Sequence, residues 1–139
     1  AVARTGLVLT RDGGALPELM LPFRLFAGGP TGSGRQYYPW IHIDDVVAAM
    51  ARLVTDPAAA GVYNLSAPTP VTNRAFATAL GRAMHRPSFL PAPAFALRIV
   101  LGEMADIVLN GQRAVPTRLR ALGFRHRWDD LAAALADLV

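Results

Sequence analysis

Gly28-Gly29-Pro30-Thr31-Gly32-Ser33-Gly34-Arg35-Gln36-Tyr37-Tyr38-Pro39-Trp40-Ile41-His42-Ile43-Asp44-Asp45 runs from a glycine-rich loop through an aromatic segment into an acidic helix start. Its glycines suggest a phosphate cradle, but a dinucleotide-binding loop lies between a strand and a helix whose N-terminus faces the pyrophosphate. Here an alternating segment follows the glycines, so the loop reads as a turn. From Gln36 to Ile43, one side of a strand carries Tyr37, Pro39, Ile41 and Ile43, and the other carries Gln36, Tyr38, Trp40 and His42. The second side is polar and aromatic, as a strand lining a ligand cleft would be. Pro39 places the strand at an edge or on a bulge. Asp44 and Asp45 are positioned to cap the helix that follows, where a carboxylate satisfies free backbone N–H groups and suits the helix dipole.

Upstream, residues 2–9 form an apolar, β-branched run that reads as a buried strand ended by Asp12-Gly13-Gly14. Residues 15–27 read as a helix that Pro22 breaks or kinks. The run begins with no polar lead, as a strand entered in mid-course, and suggests a piece of a longer chain. Downstream, a helix over 45–55 carries Val46, Ala49, Met50, Leu53 and Val54 at helical spacing. A second strand follows at 62–66. Thr72 caps a helix with Phe76, Ala79, Leu80, Ala83 and Met84 on its inner side. Residues 88–90 look like a short strand, and Pro91-Ala92-Pro93 starts an apolar helix. Pro116 opens a short helix ended by Gly123. Asp129 caps a last helix, with Trp128, Leu131, Ala132, Leu135 and Val139 on one face.

With 139 residues the chain is long enough to bury a core. A charged fraction of 17% beside 53% hydrophobic residues excludes a disordered chain. All fourteen basic residues are arginine, but they are scattered and the net charge is only +4. A nucleic-acid surface clusters its cations, so no nucleic-acid partner is expected. Without cysteine there is no disulfide or thiolate metal site, which suits a reducing, cytoplasmic setting. His42, His85 and His126 lack ligand spacing, so no metal is expected. The longest apolar run, 89–101, is too short and too interrupted to cross a bilayer.

No complete catalytic constellation is present. His42 has two aspartates close behind it but no serine, tyrosine or lysine to complete a set, and reads better as a hydrogen-bonded histidine in a wall. Tyr38 and Trp40 are either core or substrate wall. Arg35 and Arg113 either hold an anionic ligand or are solvated.

Arg4-Thr5-Gly6-Leu7-Val8-Leu9, the glycine loop with Arg35-Gln36, and Pro39-Trp40-Ile41-His42-Ile43-Asp44-Asp45 together resemble the second half of an extended short-chain dehydrogenase/reductase. More narrowly they are similar to the bacterial NAD-dependent epimerase/dehydratase-like subfamily sometimes labelled a cell-division inhibitor homologue. That subfamily ends in a small C-terminal domain of unknown function, which Tyr63-Asn64-Leu65-Ser66-Ala67-Pro68, His85-Arg86-Pro87, Gly111-Gln112-Arg113 and Gly123-Phe124 resemble. The resemblance implies an α/β fold, the C-terminal part of a Rossmann-like domain with a mixed substrate lobe. Residues 1–85 would close the core and carry lobe insertions, and 86–139 would form a small α-rich unit.

It also implies a cofactor, NAD or NADP, in the full-length parent, with Arg4, Thr5 and Gly6 near its nicotinamide end. Arg35, Gln36, Tyr38, Trp40, His42 and Arg113 would face a small-molecule substrate. The family's N-terminal glycine loop and Tyr-x-x-x-Lys pair are missing, and the chain has no lysine. No cofactor binding or turnover is therefore expected of this chain alone, which would need the N-terminal half, or self-association through an exposed sheet edge. The rival reading is a ligand- or partner-binding module that keeps the fold without catalysis. In nucleotide-sugar epimerases an arginine sits four residues before this strand's histidine; Tyr38 stands there instead.

Overall fold

A computed structural model describes residues 1–13, 16–30, 32–90, 99, 102 and 115–139. The described elements are β1 (Val2–Thr5), β2 (Leu7–Leu9), α1 (Leu16–Arg24), β3 (Tyr37–Tyr38), β4 (Trp40–His42), α2 (Ile43–Thr55), β5 (Val62–Leu65), β6 (Val71–Thr72), α3 (Asn73–Met84), α4 (Thr117–Ala121) and α5 (Leu131–Leu138).

The strand expected over residues 2–9 divides at Gly6. β1 pairs in parallel with β5, Val2 opposite Val62 and Thr5 opposite Leu65. β2 pairs in parallel with β4, Leu7 opposite Trp40 and Leu9 opposite His42. At the junction the Gly6 amide donates to Leu65 O at 3.0 Å and the Leu7 amide to Pro39 O at 2.7 Å. A Cβ on Gly6 would overlap the Pro39 carbonyl, so the partner switch depends on glycine. Pro39 sits at the matching break on the other strand, between β3, which pairs antiparallel with β6, and β4.

The two parallel pairs are covered differently. Leu9 and Trp40 enter a core with Phe23, Phe76, Leu80, Leu131 and Leu135. Val8 and Ile41 point the other way, into a core with Val46, Ala49, Leu53, Tyr63, Leu65 and Leu119. β2–β4 is thus covered on both faces, as parallel strands usually are. On β5, Tyr63 and Leu65 are buried while Val62 and Asn64 are exposed, and on β1 Val2, Arg4 and Thr5 are all exposed. The expected buried first strand is therefore only partly so: one face of β1–β5 is open, because no described element lies over it.

The helices follow their apolar spacing, with corrections. α1 passes through Pro22 and ends two residues later, where Phe26 takes a left-handed conformation and Ala27 N bonds back to Pro22 O. α3 has Thr72 as its cap, its hydroxyl accepting from Ala75 N at 3.2 Å. α4 lies where Pro116 and Gly123 bound it, and Arg118 donates to Ala60 O and Val62 O, fixing α4 on the start of β5. α5 is capped by Asp130 and not Asp129, and it buries Leu131, Ala134, Leu135 and Leu138; Ala132 and Val139 face outward. Residues 88–90 form no strand, though Leu90 N bonds to Gly28 O at 3.1 Å. The helix expected after Pro93 lies outside the described residues, apart from isolated positions.

Candidate functional site

The aspartates after β4 do not cap α2. His42 does: its backbone is extended and its Nδ1 accepts from Asp44 N at 3.0 Å. Nδ1 therefore carries the lone pair and Nε2 the proton, which it donates to Asp137 Oδ2 at 2.9 Å. The imidazole is fully buried and stacks on Trp128, with centroids 4.7 Å apart and planes 15° apart. A histidine cap is uncommon among the residues that favour this position. Here it works because α5 supplies a carboxylate for the second ring nitrogen.

That arrangement frees both aspartates for the loop before α5. Asp45, 2% exposed, accepts from Arg127 N at 2.8 Å and from Trp128 N at 3.0 Å. Asp44 is half exposed; it accepts from Trp128 Nε1 at 3.2 Å and lies 3.9 Å from Arg127. His126 completes the junction by donating from Nε2 to Ser66 O at 2.8 Å, just past β5. Burial lowers the His126 pKa below its ordinary 6.5, chiefly by desolvating the charged form; the Ser66 carbonyl and nearby Asp45 oppose this. Residues 127–128 are thus held by the N-terminus of α2, and His126 by the end of β5.

The sequence-predicted residues fall into two groups. Arg4 and Thr5 are exposed at the C-terminal end of β1, the end at which open α/β sheets present ligands. Gly6 follows them, with its small size required by Pro39. Arg35 is exposed, its amide donating to Ser33 Oγ, whose hydroxyl reaches Gln36 Oε1 at 3.4 Å. Gln36 is half-buried and its carbonyl accepts from Asn73 N. Tyr38, Trp40 and His42 are buried by the chain itself. Tyr38 packs on Phe76 with ring centroids 5.2 Å apart. Trp40 lies in the core, and its Nε1 has no acceptor among the described residues. Arg113 lies outside the described residues.

Open clefts are present among the described residues. One, of about 320 Å³, is lined by Trp40, Thr69, Val71, Asp129, Asp130 and Leu131. Another, of about 360 Å³, lies beyond β5 against Pro68, Val115, Pro116, Thr117 and Arg120. Sequence reasoning missed Thr69, Arg120 and Asp137. Asp137 is 95 residues from its histidine partner and stands among alanines and leucines, so nothing local marks it. His42, Asp44 and Asp137 bring possible ligand atoms within 4.8 Å of one another. Both imidazole nitrogens are already engaged, so this cluster reads as a cap and tether and not as a metal centre.

Residues 92–138 match the family described as "Domain of unknown function (DUF1731)". Over 138 residues the chain is 41% identical to an epimerase family protein of Staphylococcus aureus (strain N315) and 45% identical to one of Staphylococcus epidermidis. Each match covers 99% of this chain and 46% of the relative, so the chain spans about half the length of the curated relatives it matches. Among solved structures, human epimerase family protein SDR39U1 (isoform 2) with NADPH aligns at TM-score 0.91 and 40% identity, over 99% of this chain and 47% of that one. A nucleoside-diphosphate sugar epimerase from Corynebacterium glutamicum aligns at TM-score 0.67 and 31% identity, over 97% and 25%. The resemblance read from the sequence holds: the chain is similar throughout to part of an epimerase family protein, with a Rossmann-like α/β fold. Among the described residues, no helix is long and apolar enough to cross a membrane.

Proposed function

We propose that this chain is the substrate-lobe half of an NAD(P)-dependent epimerase- or reductase-like protein, inactive by itself. The observation that carries this reading is the match of 99% of the chain to about half of a structure holding NADPH. Residues 1–85 then close the core and 86–139 form the C-terminal unit. NAD(P) would supply hydride transfer at a hydroxyl or carbonyl carbon of a small-molecule substrate.

The groups present fit a supporting part in such a site. Arg4 offers a cation, and Thr5 a hydroxyl, at the exposed C-terminal end of β1. Gly6 contributes by keeping β1 and β2 on separate partners. On the substrate side, Arg35, Gln36 and Arg113 supply polar contacts. Tyr38, Trp40 and His42, being buried, act from behind by fixing the strand that carries the wall. No described group completes the proton-transfer set, which the other half of the protein supplies.

The test compares this chain with the longer gene product by NADPH fluorescence titration and by turnover of nicotinamide cofactor. The longer protein should bind NADPH at least about a hundredfold more tightly, a difference of roughly 2.7 kcal/mol. Equal binding, or turnover by this chain alone, would refute the reading. A longer protein that binds a ligand but no nicotinamide cofactor would favour the non-catalytic module.

A further inference from the structure

We infer that the cleft between the β5–β6 connection and the start of α5 binds a small aliphatic amine that also carries an oxygen. The ammonium group meets Asp129 and Asp130, and the oxygen accepts from Trp40 Nε1. This goes beyond the substrate-lobe reading and does not rest on it, because every group used belongs to this chain. The cleft, of about 320 Å³, brings Trp40, Val71 and Leu131 together with Thr69, Asp129 and Asp130. Thr69 and both aspartates are exposed, Val71 is half-buried, and Trp40 and Leu131 belong to the core behind.

Two features of this cleft are unexplained by the fold. Trp40 is 1% exposed, and its indole N–H, which can only donate, has no acceptor among the described residues. Buried donors are nearly always paired, so an orphan marks a missing partner. On the core side the indole's cluster offers Leu9, Phe23, Phe76, Leu80 and Leu135, all apolar. Trp40 shares the cleft with polar groups, so an acceptor approaches it from there. The second feature is charge. Asp130 has a structural duty, its Oδ2 accepting from Ala133 N at 3.2 Å as the cap of α5. Asp129 has none, and among the described residues neither carboxylate is in an ion pair. Arg127, two residues before Asp129, lies 3.9 Å from Asp44 instead. Two neighbouring carboxylates on a concave surface favour a cation and repel an anion. An ammonium group is compact and has three donors, enough for both carboxylates and the Thr69 hydroxyl. It has no acceptor, so the indole N–H calls for an oxygen on the same ligand. Val71 and Leu131 suit the carbon chain that joins the two.

The chain has two tryptophans, so its nitrogen–proton correlation spectrum carries two indole signals. Asp44→Asn assigns one of them, because Asp44 accepts from Trp128 Nε1. Diaminopropanol is the probe; diaminopropane, which lacks the oxygen, glycerol, which lacks the charge, and magnesium chloride at matched ionic strength are the comparisons. Diaminopropanol should move the Trp40 signal saturably and leave that of Trp128 in place. It should bind at least about threefold more tightly than diaminopropane, the share of one added hydrogen bond, and glycerol should move neither signal. Asp129→Asn should weaken binding at least about threefold. Asp130→Asn should weaken it too while keeping the cap of α5, since asparagine serves there as well. Should the first variant fold poorly, Asp129→Ser repeats it, and the titration of the unaltered chain needs no variant. A Trp40 signal that stays in place overturns the inference, as does equal affinity for diaminopropane or unchanged affinity in Asp129→Asn. An equal response to magnesium also overturns it, reducing the acids to general cation attraction. Calorimetry on the longer gene product should give an affinity within about threefold of this chain's; loss of binding there overturns the inference by filling the cleft with the rest of that protein.

Discussion

Asp44 and Asp45 are adjacent acids at the start of one helix, and the structure assigns them opposite importance. Removing Asp45 with alanine leaves the amides of Arg127 and Trp128 without their acceptor at a site where the carboxylate was 2% exposed. Hydrogen bonds to a charged group contribute about 1.5–3 kcal/mol each, and loss of a negative charge from the first turn of α2 adds about 0.3–1 kcal/mol. Water entering the vacated space recovers part of this. A net loss of about 3–4 kcal/mol remains, of the size seen when buried polar networks are cut. For a domain of this length, each kcal/mol moves the Tm by roughly 3–5 °C, so Asp45→Ala should unfold about 9–20 °C lower. Asp44→Ala removes a half-exposed carboxylate, one indole hydrogen bond and a long ion pair to Arg127; it should cost about 1 kcal/mol or less. The assay is urea denaturation of both variants and the parent, with Tm from circular dichroism as a check. Equal losses at the two positions would refute the clamp, because they would mean both acids act only on the helix dipole.

Two further outcomes follow from the junctions of the fold. Gly6→Ala places a methyl group on the Pro39 carbonyl where β1 and β2 part; it should cost about 1–3 kcal/mol in urea denaturation, and an unchanged midpoint would mean the strands part without that close approach. His126 has its pKa lowered by burial, so the unfolded chain binds more protons than the folded one as pH falls through 6.5. Its contribution is present above that pH and fades on the acid side; a His126→Gln variant should lose less stability between pH 7 and 5 than the parent does, and parallel curves would contradict the assignment.

Helices were the legible part of this chain. Their apolar period and bounding residues place α2, α3 and α4 close to where they lie, since cap chemistry at Thr72, Pro116 and Gly123 acts within one turn. What local sequence does not carry is the choice among long-range partners. The division of residues 2–9 depends on a carbonyl more than thirty residues away in Pro39. His42 displaces the aspartates as cap because Asp137 lies across from it. In α2 the period was right and the assignment to one face was not: Met50 and Val54 belong to a second stripe beside the buried one.

The strand behind the glycine loop makes the same point about function. Alternation shows that the two sides of a strand differ; it does not say which side is covered. At β4 both are, Ile41 by α2 and Trp40 with His42 by α3 and α5. The polar-aromatic side looked like a cleft wall because it must satisfy polar demands, a free helix amide at Asp44 and a carboxylate on α5, within a hydrophobic setting. Those demands come from joining the C-terminal segment to the start of α2, and they would exist with no ligand present. The exposed groups around this strand are Arg35 and, at the end of β1, Arg4 and Thr5. Tyr38, Trp40 and His42 are buried, Tyr38 against Phe76, His42 against Trp128 and Trp40 in the core with Phe76 and Leu135.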